Sequence, residues 1–354
     1  FNKSNARRRK IFNKSNARHG KSIHCVMDKN HIGNKKYSVA VVGATGLIGR
    51  KILGTLYKRR FPISGLRVFA SEKSEGKKIS FGGERMTVEK TDENVCGKFD
   101  FVFFSAGKDV SLKYAPLFAK SGAIVIDNSS AFRSDKNVPL VIPEINGAIL
   151  SEIPKRIVAN PNCSTIIALV PLKNVIAKYG VKSLVFSTYQ AVSGSGMKGI
   201  ADLLLTRQGF TGKFYPYNIS GTFIPQIGEV LSNGHTEEEL KMVNETRKIT
   251  GLDVKISATC VRVPMENCHG VSVEVETEKP VDIRALADEM QYSAALFSEF
   301  PNATDADEKN EVLFGRIRKS GVFENGFSYF AAGDNTLKGA ALNAVQIAEY
   351  IAAH

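Results

Sequence analysis

The sequence predicts an α/β protein, with a parallel sheet in the first half of the chain and an α+β unit in the second. Three observations carry this. From Tyr37 to about Asn160, short apolar, often β-branched runs alternate with segments of helical spacing, the pattern of βαβ units. Beyond Asn160 the texture changes to longer alternating strands separated by helices and loops, which predicts a mainly antiparallel sheet. The chain has 354 residues, 43% hydrophobic and 23% charged. That length suits about two domains of ~150 residues each, and the composition excludes a disordered polymer.

Residues 39–42 form the first strand and end in Gly43-Ala44-Thr45-Gly46-Leu47-Ile48-Gly49. Residues 50–60 then have helical spacing through Ile52, Leu53 and Leu56. Strands are expected at 66–70, at 99–104 (FDFVFF) and at 123–127 (AIVID), with a helix at 112–120 that stops at Gly122. In the second half the expectation is a helix from Cys163 through Tyr179, a strand at 183–189 and a loop-rich stretch at 209–225. A charged helix at 237–250, strands at 255–263 and 271–277, and a helix at 282–299 follow. Residues 335–353 read as an Ala-rich amphipathic helix that packs back on the first domain. The expected domains are thus 37–160, completed by 334–354, and 161–333.

The net charge of +13 invites a nucleic-acid reading, because clustered Lys and Arg displace counterions from phosphate backbones. Its distribution argues otherwise. Eleven of the 48 basic residues and one of the 35 acids lie in residues 1–36, which leaves 37 basic and 34 acidic side chains in the body. The leader is repetitive, with FNKSNAR at residues 1–7 and again at 12–18, and it lacks the apolar core of a secretory signal. It reads foremost as tag or upstream sequence, with the protein proper starting near Met27; a transit peptide or a basic binding arm are the other readings. No apolar stretch approaches the ~18–20 residues of a membrane span. A cytoplasmic location is expected, or a plastid or other organelle if the leader is a transit peptide.

The five cysteines, Cys25, Cys96, Cys163, Cys260 and Cys268, are widely spaced, odd in number and without a C-x-x-C pair; no disulfide framework is expected. Cys260, Cys268 and His269 are near in sequence, but no second cluster completes a tetrahedral site, so no metal is expected.

The glycine turn has the spacing G-x-x-G-x-x-G, with a strand before it and a helix after it. That context sets backbone N–H groups and a helix N-terminus against a diphosphate, a Rossmann-like dinucleotide site; the alternative is a plain tight turn. After the second strand, Ser71-Glu72-Lys73-Ser74 offers hydroxyls and an ammonium where an NAD enzyme usually offers an acid. This favours NADP, with Glu72 as the contrary feature and a solvated loop as the other reading.

Three further runs carry chemistry. Asn160-Pro161-Asn162-Cys163-Ser164-Thr165 places a thiol where a turn feeds an apolar helix, and helix N-terminal amides stabilise a thiolate; a packed thiol is the bland alternative. Tyr189-Gln190-Ala191-Val192-Ser193-Gly194-Ser195-Gly196 ends a strand in a flexible loop, where Gln190 is placed to orient an acyl group. Arg262 and His269 lie seven apart. On one continuous strand they would face opposite sides, so residues 264–268 must turn if both line one site.

The blocks VAVVGATGLIG, DNSSAFR, VIPEING, IVANPNCSTI, TYQAVSGSG, EELKMVNETRKI, SATCVRVP and GDNTLKGAALNAVQIAEYI, in this order from Val39 to the C-terminus, resemble the aspartate-semialdehyde dehydrogenase family. The resemblance implies NADPH-dependent reductive dephosphorylation of L-aspartyl 4-phosphate to L-aspartate 4-semialdehyde, a step toward lysine, threonine, methionine, isoleucine and diaminopimelate. It implies Cys163 as nucleophile, His269 as general acid/base and Gln190 positioning the acyl intermediate. It further implies Arg262 on the substrate α-carboxylate, Glu238 on its amino group, and Arg133, Asn162 and Lys241 on the phosphoryl group. For the cofactor it implies Gly43, Thr45, Gly46, Leu47, Ile48, Gly49, Ser71, Lys73, Ser74, Ser193, Gly194 and Asn335.

A homodimer or homotetramer, with the second domain at the interface, a small-molecule substrate and no nucleic-acid or membrane partner complete the implication. Two departures stand out: the family usually has Gly-His-Ser-Glu or His-Ala-Glu around the base, against Cys268-His269-Gly270-Val271 here, and many relatives carry arginine at Lys73. Cys268 reads as a packing substitution that could add sensitivity to oxidation. N-acetyl-γ-glutamyl-phosphate reductase, which shares the architecture, is the nearest alternative; an acylated amine would have no use for Glu238.

Overall fold

The computed structural model describes residues 35–354; the leader, its repeat and Cys25 lie outside the described residues. The first sheet is wholly parallel, in the order β5-β2-β1-β6-β7-β8. Its strands are β1 (Tyr37–Val42), β2 (Ile63–Ala70), β5 (Glu89–Lys90), β6 (Phe101–Phe104), β7 (Ile124–Asp127) and β8 (Ile157–Ala159); β3 (Lys78–Phe81) and β4 (Glu84–Thr87) form a separate hairpin. Along β1, Val39 and Val41 pack on one side while Ala40 and Val42 pack on the other, the period of two that a doubly covered sheet requires. Helix α1 (Leu47–Lys58) covers one face through Ile52, Leu53 and Leu56. Helix α2 (Lys108–Lys120) covers the other through Ala115 and Phe118.

The second sheet is mixed, in the order β10-β9-β11-β14-β13-β12. Its strands are β9 (Val181–Gln190), β10 (Lys255–Arg262), β11 (His269–Thr277), β12 (Ala295–Phe297), β13 (Val312–Lys319) and β14 (Gly326–Gly333). The central pairings β9–β11, β11–β14 and β14–β13 are antiparallel and the two outer pairings are parallel. Beyond α3 (Pro143–Asn146), helices α4 (Cys163–Leu169) and α5 (Lys173–Tyr179) lead into this sheet. Helices α6 (Gly196–Arg207) and α7 (Glu237–Thr250) follow β9. The C-terminal helix α10 (Leu342–Ala353), which comes after the short α8 (Leu286–Met290) and α9 (Ala303–Ala306), returns to the first sheet. There Ala344, Val345, Ile347 and Ala348 share a core with Val39, Val41 and Leu56.

Three sequence expectations are corrected. The helix expected at 282–299 is only α8; Tyr292 and Ala295 then exchange backbone hydrogen bonds and residues 295–297 pair with β13, so sheet pairing overrides a helical pattern. The single helix from Cys163 to Tyr179 is interrupted by a 3₁₀ turn, Val170–Leu172, which contains Pro171, a residue that removes a helical donor. The helix expected at 335–353 begins with a π-helical turn, Leu337–Ala341, before α10. Among the described residues no helix is long and apolar enough to cross a membrane.

Candidate functional site

The site collects at the carboxyl ends of the parallel strands, where open α/β sheets place ligands. After β1, Gly43 has φ +84°, and a Cβ there would lie 2.7 Å from the Ser105 backbone that follows β6. A Cβ on Gly49 would come within 2.2 Å of the Gly43 carbonyl. Both positions therefore admit only glycine, and the turn closes tightly enough to bring its backbone against a ligand. Gly46 caps α1 without a side-chain hydrogen bond, so the first amides of the helix, at Leu47, Ile48 and Gly49, stand open. Together with Thr45, this cradle fits a dinucleotide diphosphate.

Ser71, Lys73 and Ser74 follow β2, in and just ahead of the exposed 3₁₀ turn Glu72–Ser74. Glu72, the contrary residue for NADP, is turned into an ion pair with Lys90 at 3.0 Å, while Lys73 makes no ion pair among the described residues. Farther along, Ser193 and Asn335 are buried together, the Asn335 amide donating to Ser193 Oγ at 2.9 Å. A cleft of about 570 Å³ runs from Leu47 and Lys51 past Ser193 and Thr336 to Asn267.

Cys163 is the first residue of α4. Asn162 caps that helix, its Oδ1 accepting from the Ser164 and Thr165 amides at 2.8 and 3.3 Å. The helix amides act in the expected direction, through the Ser164 N–H, but they are outweighed. Burial, with the Glu238 carboxylate second, pushes Cys163 up to about 11, against the opposing pull of Arg133, Arg262 and the Ser164 N–H.

Arg262 ends β10 and His269 opens β11; residues 263–268 make the turn between them. A Cβ on Gly194 would meet Arg262 Nη1 at 2.8 Å and His269 Nε2 at 3.4 Å, so the β9 loop, the arginine and the histidine converge on one point. Arg262 Nη1 donates to the Ala191 carbonyl at 2.5 Å. Gln190 faces Arg262 in register across β9 and β10, and its Nε2 donates to Thr188 Oγ1 at 3.2 Å.

His269 is fully buried, and burial, with Arg262 second, takes it down to about 3. The ring is neutral. Its Nδ1 accepts from the Ala191 N–H at 3.0 Å, so the proton sits on Nε2, which has no partner among the described residues. Its neighbour Cys268 has φ +68° and is buried against Ala306, Leu313 and Ala332. Burial pushes that thiol upward, which opposes the thiolate character of oxidation-prone cysteines.

Helix α7 brings the remaining groups. Thr236 caps it in a capping box with Glu239. Glu238 accepts from Asn162 Nδ2 at 2.6 Å and pairs with Lys241 at 3.3 Å. Arg133, on the loop after β7, pairs with Glu245 at 3.0 Å. Three participants were not read from the sequence. The Ala191 backbone amide carries no side-chain signal. Gly339, whose Cβ would lie 2.9 Å from Cys163 Cβ, was hidden by the π turn. Glu245 was legible in principle, four residues after Lys241 on the same helical face.

The profile of the semialdehyde dehydrogenase NAD binding domain matches residues 38–153, and that of the semialdehyde dehydrogenase dimerisation domain matches residues 172–338. Aspartate-semialdehyde dehydrogenase of Aquifex aeolicus is 44% identical over 89% of this chain and 98% of its own. The Bacillus subtilis aspartate-semialdehyde dehydrogenase is 42% identical, covering 88% and 96%. The chain belongs to the aspartate-semialdehyde dehydrogenase family. A solved member, aspartate semialdehyde dehydrogenase II of Vibrio cholerae complexed with ASA, superposes with a TM-score of 0.87 at 39% identity, covering 90% of this chain and 98% of that one. The family's NAD binding domain spans the glycine turn and Arg133; its dimerisation domain spans Gln190, Glu238, Arg262 and His269, and Cys163 lies between the two matched regions.

Proposed function

We propose that this member of the family catalyses the NADPH-dependent reductive dephosphorylation of L-aspartyl 4-phosphate to L-aspartate 4-semialdehyde. One observation carries the reading: a partly buried thiol, Cys163, lies within the electrostatic reach of two arginines, Arg133 and Arg262, and of the Glu238 carboxylate. A substrate with a phosphoryl group, a carboxylate and an ammonium calls for two cations and one anion around its acyl carbon. Glu238 would serve an amine that N-acetylation removes, which disfavours an acylated substrate.

In this scheme Arg262 grips the α-carboxylate, Glu238 the ammonium, and Arg133, Asn162 and Lys241 the phosphoryl oxygens. The Cys163 sulfur forms a bond to the acyl carbon as the carbon–oxygen bond to phosphate breaks; the thiol proton leaves with the phosphate, giving a thioester and hydrogen phosphate. The nicotinamide, when bound, supplies a hydride to that carbon. Gln190 holds the acyl group, and His269 Nε2–H donates to the oxygen on which negative charge develops. When the carbon–sulfur bond breaks, the aldehyde leaves and the Cys163 thiolate takes up a proton, which restores the resting thiol. For His269 to accept a proton at Nδ1 the Ala191 hydrogen bond must open, so its base function depends on movement of residues 191–194.

The glycine cradle would hold the diphosphate, Ser193, Gly194 and Asn335 the nicotinamide end, and Ser71, Lys73 and Ser74 a 2′-phosphate, hence NADP over NAD. The oligomer is a homodimer or a pair of dimers built through residues 172–338, and the cytoplasm is its proposed location.

The test supplies aspartate semialdehyde, inorganic phosphate and NADP⁺ and follows NADPH absorbance. Phosphate-dependent signal is expected, with a lower KM for NADP⁺ than for NAD⁺. Signal only with the N-acetylglutamate analogue would reverse the substrate assignment. Cys163→Ala is expected to abolish turnover while NADPH still binds.

A further inference from the structure

We infer that Glu245 is a positioning residue for the anion site: it aims the Arg133 guanidinium and fixes the backbone just before Cys163. The inference rests on the proposed phosphoryl-group chemistry and extends it to a residue outside the substrate-contact set.

Glu245 lies on α7, two turns beyond Glu238, and is buried. Its Oε1 accepts from Arg133 Nη1 at 3.0 Å and its Oε2 from the Asn162 backbone N–H at 2.6 Å. One carboxylate thus joins the loop after β7 to the turn after β8. The backbone of the Arg133 loop is held separately by Lys248, whose ammonium donates to the carbonyls of Arg133, Asp135 and Val138 at 2.8, 2.7 and 2.8 Å. With the backbone secured by Lys248, the contact left to Glu245 is the guanidinium itself.

The direction in which that guanidinium is held is informative. Nη1 is taken by Glu245 and Nη2 by the Asn128 carbonyl at 3.0 Å, while Nε is buried and has no partner among the described residues. A buried donor without an acceptor is unfavourable, and an arriving ligand oxygen satisfies it. A second carboxylate close to Cys163 and an anion site is unfavourable on charge alone; orienting Arg133 is the compensating effect. Burial raises the Glu245 pKa, and Arg133 and the Asn162 N–H oppose the rise.

The sign of one effect separates positioning from simple charge. Removing a negative charge near an anion site without other consequence tightens phosphate binding; losing the aim of Arg133 weakens it. In the full-length enzyme assayed with aspartate semialdehyde, NADP⁺ and inorganic phosphate, Glu245→Gln is expected to raise the KM for phosphate tenfold or more. The KM values for aldehyde and NADP⁺ should stay within about twofold, and Tm within a few degrees. Glu245→Asp, which keeps the charge and shortens the reach, should also raise the phosphate KM. A phosphate KM that is unchanged or lower in Glu245→Gln overturns the inference, as does loss of cooperative melting in both variants.

If wild-type enzyme shows no phosphate-dependent signal, the reaction reading fails, and protection of Cys163 from iodoacetamide by inorganic phosphate tests Glu245 without turnover. Half-protection of Glu245→Gln at tenfold higher phosphate supports the inference, and equal protection overturns it.

Discussion

At the scale of single residues, two ionisable groups are held away from their working protonation states. Burial and Glu238 keep the Cys163 thiol protonated, so alkylation of the ligand-free enzyme by iodoacetamide is expected to be slow at neutral pH. Its rate should climb toward pH 11 without a plateau near pH 8; a plateau there would contradict the assigned environment. For His269 the linkage has a defined sign. With a pKa of about 3 when folded against 6.5 for an ordinary histidine, the unfolded chain binds more protons between these values, so stability falls as pH drops from 6.5 toward 3. Denaturant melts at pH 7 and pH 5 should show a smaller loss on acidification for His269→Asn than for wild type. Both residues were legible as candidates because Cys163 stands where a turn feeds an apolar helix and His269 follows Arg262 by seven residues. Their states were not, because burial and the Ala191 amide come from segments distant in sequence.

At the scale of elements, α7 presents Glu238, Lys241, Glu245 and Lys248 toward the loops after β7 and β8. Its start depends on the Thr236 capping box, in which Thr236 Oγ1 accepts from the Glu239 N–H while Glu239 Oε2 accepts from the Thr236 N–H at 2.8 Å. Thr236→Ala is expected to cost about 1 kcal/mol of stability, measurable by denaturant titration, and to weaken substrate binding through Glu238 and Lys241. This helix was readable from its charge pattern, and its Thr236 cap and terminal Gly251 flank it directly in sequence. The segment after Asp282 was misread for the opposite reason: pairing with β13, seventeen residues from β12 in sequence, outweighs its local periodicity.

At the scale of the whole molecule, the C-terminal segment ties both halves of the site together. Lys338 is fully buried in the π turn, its ammonium bound by Glu144 Oε1 and Gln346 Oε1, both at 2.7 Å, and the next residue, Gly339, packs on Cys163. Lys338→Met strands the Glu144 carboxylate in the interior and should cost about 3–5 kcal/mol, whereas a double replacement by Met and Leu at 338 and 144 should recover much of it. Thermal melting of both variants checks this.

Sequence alone determined what depends on neighbours along the chain: the βαβ order, the glycine turn, the charged helix at 237–250, and the residue blocks that mark the family. Only the tertiary structure decided the protonation of Cys163 and His269, the partnership of Glu245 with Arg133, and the contact of Gly339 with Cys163. Solvent exclusion and contacts between distant segments set those properties, and no local pattern encodes them.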